Sequence, residues 1–144
     1  MLLEPTLVQL REMPGAPQGL LAGVLINLAS AYAAEASEYR IWPRTNEETS
    51  TSKYGQEASD LLAKAFTCAS EAIKIDRVEV GEQHSEYAHD ASTLGGVLFL
   101  LDRRAAALKW LDVAINIWSA PGPSHDEALS NDTRVLRDAI QAGM

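Results

Sequence analysis

A chain of 144 residues is the length of one domain. With 47% hydrophobic and 22% charged residues it is not a disordered segment, and 9 Gly with 6 Pro exclude collagen-like or linker composition. The 12 Lys and Arg against 20 Asp and Glu leave a net charge of −8, which argues against nucleic acid or anionic lipid as a partner, because both need basic side chains to neutralise phosphate. The single cysteine, Cys68, excludes an internal disulfide and suits a reducing compartment. The opening MLLEPTLVQLRE carries Glu4 and Glu12 without a basic stretch, and reads as neither a secretory nor a transit peptide.

Taken in chain order, every predicted element is a helix. A short helix is expected over about 5–13, then a first pair over about 19–37 and 54–80. A second pair is expected over about 85–101 and 103–119, and a last helix over about 124–142. Ser85, and Ser124 or Asp126, are candidate N-caps, and Pro121-Gly122-Pro123 stops a helix. No window alternates as a strand. The uncharged run 13–34 is interrupted by Pro14, Gly15, Pro17 and Gly19. The 15 residues left, with Asn27 and Ser30 among them, fall short of the roughly 20 that a membrane span needs. The expectation is a buried helix and no direct membrane insertion.

The chain repeats itself. Gly15, Gly81 and Gly122 are each followed seven residues on by Ala22, Ala88 and Leu129. GEQHSEYA from Gly81 and GPSHDEAL from Gly122 also share a His three residues after the Gly; GAPQGLLA from Gly15 has Gln18 there. Between these marks, Leu25, Leu28, Ala29 and Tyr32 precede Ala65, Ala69 and Ala72, as Ala91, Leu94, Gly95 and Leu98 precede Ala107, Leu111 and Ala114. The gap from Tyr32 to Ala65 is 33 residues where that from Leu98 to Ala107 is 9, so the first unit holds an insertion, placed at about 38–53. Its second half is polar and reads as a mobile arm. Trp42-Pro43 is read as covering the edge of the stack, or as part of an arm folded over the binding face.

Steps of three and four put these small residues on one helix face, where they let two helix axes come close. The helix ending at Trp118 carries two apolar rows, Leu108, Leu111, Ile115 and Trp118 beside Ala107, Trp110, Ala114 and Ile117. So wide an apolar arc has to be covered on two sides, as in a stack of helix pairs.

The Leu94-Gly95-x-x-Leu98 segment with Ala107, Leu111 and Ala114 resembles a tetratricopeptide repeat. The G-x-x-H-x-E linkers (Gly81, His84, Glu86; Gly122, His125, Glu127) are similar to the longer repeats of kinesin light chains and related scaffolds. The resemblance covers about two repeats plus a terminal helix, and implies one all-α domain over 1–144, an antiparallel helix-pair solenoid (an α-α superhelix). It implies a non-enzymatic adaptor that holds a protein or peptide in a concave groove. By position, that groove would be lined by Ile26, Asn27, Ser30 and Ala34 in the first unit, and by His89, Ser92, Thr93, Gly96 and Leu100 in the second. Arg134 and Arg137 would come from the last helix, although Arg134 could equally pair with Asp138 on the surface. With no other cation at these positions, a partly hydrophobic or helical partner suits the groove better than an acidic tail.

The alternative is a structural fragment of a larger repeat protein in an assembly or quality-control complex, self-associating through open repeat ends. The cytoplasm is the expected location, and the mitochondrion the alternative. No catalytic, cofactor or metal site is expected. His84 and His89 stand five apart rather than four, and the linker histidines read as structural. Cys68 reads as a small buried side chain, and Asn131-Asp132-Thr133 as a chance glycosylation match.

Overall fold

The small residues at helical spacing are where the helices meet. The computed structural model describes residues 3–41 and 48–143, with side chains over 4–38 and 55–143. Its elements are α1 (Leu3–Glu12), α2 (Gln18–Ile41), α3 (Glu48–Glu79), α4 (Ser85–Leu100), α5 (Arg104–Ser119) and α6 (Glu127–Gln141). No strand occurs among the described residues, so the fold is all-α. Each helix packs on the next in sequence, and α2 also packs on α4.

Ala29, Ala65, Ala69, Ala91, Ala107 and Ala114 are completely buried, with Leu25, Leu28 and Leu111 filling the space between them. Gly95 marks the tightest approach. A Cβ there would stand 2.9 Å from the Leu111 side chain and 3.2 Å from the Ala107 carbonyl, so α4 and α5 meet almost backbone to backbone. Both apolar rows of α5 are used, with α4 on one side and α6 on the other. Leu111, Ile115, Ile117 and Trp118 are buried, whereas Leu108 and Trp110 stay half-exposed. α2 is long and apolar enough, by length and composition, to cross a membrane. Here its Leu21, Val24, Leu25, Leu28 and Tyr32 are buried in the core it forms with the neighbouring helices.

The three glycines that mark the repeat all have left-handed backbone, with φ of 74° at Gly15, 91° at Gly81 and 127° at Gly122. That conformation is costly for any residue with a Cβ. In two of the turns the amide of the following histidine donates back to the glycine carbonyl, His84 to Gly81 at 3.4 Å and His125 to Gly122 at 3.1 Å. The α4–α5 turn uses Asp102 at φ 64° instead; its amide donates to the Phe99 carbonyl, and that of Arg103 to Leu98.

Two expectations need correction. Ser85 does not cap α4. His84 does, its Nδ1 accepting from the Glu86 amide at 3.0 Å, while Ser85 Oγ accepts the indole N–H of buried Trp118 at 3.1 Å. Asp126 caps α6 as expected, accepting from the Leu129 amide at 3.0 Å. The 38–53 segment, expected to leave the helices as an arm, is instead helical over 38–41 and 48–53. α2 continues to Ile41 and α3 begins at Glu48, because lengthening an existing helix needs no new nucleus. The root of this longer hairpin is a second small core of Ala36, Ala58 and Leu62, packed against Leu61, Leu100 and Leu101. Trp42-Pro43 and the residues through 47 lie outside the described residues.

Candidate functional site

Of the side chains proposed by position, Asn27, Ser30, Ala34, His89, Ser92, Thr93 and Gly96 fall on the outward sides of α2 and α4, whereas Ile26 packs against the main core and Leu100 against the second one. On α2, Asn27, Ser30 and Ala34 are exposed and Ile26 is half-buried. On α4, His89 is exposed, and Ser92, Thr93, Gly96 and Leu100 are half-buried. The opposite faces carry Leu25, Leu28 and Ala29 in α2, and Ala91, Leu94 and Leu98 in α4, all buried. Since α2 and α4 pack on each other, the two groups stand on neighbouring rods. Within the α4 group, the Ser92 hydroxyl donates to the His89 carbonyl at 3.0 Å, and the His89 ring meets Trp118 edge-on at 5.1 Å. A Cβ at Gly96 would touch nothing within 4 Å, so this part of the face is open.

Arg134 and Arg137 lie elsewhere. Arg134 donates to Ser119 Oγ at 2.9 Å, and Arg137 pairs with Asp112 at 2.9 Å, so both fasten α6 to α5. Asp138 is taken by Arg137 at 3.2 Å, not by Arg134 as expected. A polar cavity of about 440 Å³ beside these arginines is walled by Asp112, Asn116 and Asp138. Spacing alone places the two arginines on one side of α6, but which neighbour that side meets depends on how α6 docks.

One constellation escaped the sequence reading. Asp76 of α3 and Asp90 of α4 are both buried, at 4% and 1% exposure. Asp90 Oδ2 has no hydrogen-bond partner, and Asp76 is the charged neighbour that acts on it most. Burial, then the hydrogen bond and charge of Asp76, then the charge of Glu86 hold Asp90 well above the usual carboxylate range. The signal was present in the sequence: each Asp continues an apolar stripe, Ala69-Ala72-Asp76 on α3 and Tyr87-Asp90-Leu94 on α4.

Cys68 is half-buried on α3, and burial pushes its thiol up, away from nucleophilic character. His84 serves as a cap and His89 as a ring contact. Asn131 is exposed in the first half of α6. Among the described residues no three His, Cys, Asp or Glu side chains converge. Neither a family model, nor a curated protein, nor a solved structure matches this chain.

Proposed function

We propose that this protein is a non-enzymatic, tetratricopeptide-like adaptor that holds a protein or peptide partner along the exposed faces of α2 and α4. One observation carries the reading: Asn27, Ser30, Ala34, His89, Thr93 and Gly96 all sit on uncovered faces of two helices that pack side by side. Side chains fixed on rigid helices bind with little ordering cost. The twin Gly–His turns at Gly81 and Gly122 support the repeat reading, including its likeness to the longer kinesin-light-chain type. The surface is small and mostly uncharged, which suits a partly apolar or helical segment. The half-buried thiol of Cys68 is compatible with the cytoplasm, or alternatively the mitochondrion, as its location.

The test is affinity capture with mass spectrometry, comparing the wild type with an Asn27→Ala/Ser92→Trp variant. Trp at position 92 crowds the face while the buried side of α4 is untouched. Loss of specific partners is expected, and identical partner sets reject the surface. A second reading, a structural piece of a larger assembly, is favoured by Val8 and Met13, which are 54% and 56% exposed at the N-terminal edge. Concentration-dependent dimerisation in sedimentation experiments, abolished by Val8→Lys, would support it.

A further inference from the structure

A different cleft carries a second binding site. It opens between α3 and α5 over the side of α4 that bears Leu94 and Leu98. On a helix Leu98 projects opposite His89, so this cleft and the α2–α4 face lie on different sides of the molecule. Its volume is about 350 Å³, within the roughly 300–1,000 Å³ typical of small-ligand pockets. The floor is apolar, made by Ile73, Leu94 and Leu98, with Phe66 and Trp110 as walls. The Ser70 hydroxyl also lines it.

The rim has the opposite sign to the rest of the chain. Lys74, Arg77 and Arg103 border the cleft, in a protein whose net charge is −8. Arg77 is paired with Glu82 at 3.1 Å. Glu71, one turn before Lys74, is taken by Arg11 at 2.7 Å. Lys74 and Arg103 have no ion-pair partner among the described residues. The Arg103 guanidinium lies over the Phe66 ring, 5.9 Å from its centroid, which leaves its N–H edges available to an incoming acceptor. Trp110, which the sequence reading assigned to a core row, remains half-exposed here.

We propose that this cleft binds a small amphiphilic carboxylate: an apolar chain or ring seated between Phe66 and Trp110, with its anionic head at the cationic rim that Lys74 and Arg103 supply. Charge complementarity selects the anion, since a neutral or cationic chain of the same length would leave both cations unmatched. The apolar floor selects a hydrophobic body over a bare anion such as acetate.

The test is a titration of the full chain with decanoate below its micelle concentration, followed by amide and indole nuclear magnetic resonance. A saturable shift of the Trp110 indole N–H is expected, with Trp118 unmoved. Decanol and decyltrimethylammonium should bind at least tenfold more weakly. The exposed double variant Lys74→Glu/Arg103→Glu should lose at least tenfold in decanoate affinity, and Ala106→Trp, which fills the mouth, should abolish the Trp110 shift. An unchanged Trp118 indole resonance in each variant certifies its fold. The proposal is overturned if decanoate leaves Trp110 unmoved, if the three ligands bind alike, if the double variant binds as well as wild type, or if the shifts map to the α2–α4 face instead.

Discussion

Gly95 and Gly96 are adjacent in sequence and opposite in consequence. Alanine at position 95 drives a methyl group into Leu111 and toward the Ala107 carbonyl, and overpacking of this kind costs about 1–3 kcal/mol. Alanine at 96 meets open space and removes a helix-interior glycine, a gain of up to about 1 kcal/mol. Urea unfolding of the two variants should move in opposite directions; equal shifts would mean that α4 and α5 are further apart than described. Asp90 gives the pH-dependent counterpart. Its pKa, pushed up to about 9 by burial beside Asp76, means that the folded chain holds a proton which the unfolded chain releases near pH 4. The folded state therefore binds more protons between these values, and stability falls as pH rises through that window. Asp90→Asn keeps the shape without the charge, so unfolding at pH 9 should show it more stable than wild type, with the difference shrinking as pH falls and vanishing toward pH 4. A variant less stable than wild type at pH 9 would contradict the raised pKa of Asp90.

Among the elements, the linkers show how far residue patterns can be read. Repeating Gly–x–x–His signals mark two turns that share a backbone conformation, and the helices between them fall close to where the spacing of Ala and Leu places them. The cap was misplaced because Ser is a stronger general N-cap than His, but here Ser85 is drawn away by the indole of Trp118, a partner 33 residues distant. No local pattern reports such a contact. The face of α2 and α4 was legible because buried and uncovered sides alternate with the helical period. The α3–α5 cleft was not, because it depends on how far Trp110 is left uncovered when three helices meet. The pairing of Asp76 with Asp90 was not legible because it depends on how α3 and α4 dock, which neither helix's own pattern reports. Ser85→Ala should cost about 1–3 kcal/mol by leaving a buried indole N–H unpaired, and Gly81→Ala about 1–2 kcal/mol through its left-handed φ. Thermal unfolding of each checks both, and an unaltered midpoint for Ser85→Ala would show that the Trp118 bond contributes nothing.

At the scale of the molecule, stability should be graded along the chain. Each helix rests mainly on its sequence neighbours, so the interior of the row is supported on both sides and the ends on one. α1 buries only Leu10 fully among its described side chains, and is tied to α3 by the exposed Arg11–Glu71 pair, a contact worth about 0–1 kcal/mol. α4 buries eight of its 16 residues and α5 six of its 16, against three of 15 in α6. Amide hydrogen exchange should therefore be fastest in α1, intermediate in α6 and slowest in α4 and α5. Uniform protection would instead indicate one all-or-none unit.

The first hairpin is taller than the second. At 1.5 Å per residue α2 is roughly 36 Å long and α4 roughly 24 Å, and the surplus leans on Leu100 and Leu101 at the far end of α4. The two ends of the shorter rod are therefore unlike, and a partner bound lengthwise on it, as proposed, would meet the overhang of the first hairpin at the Leu100 end.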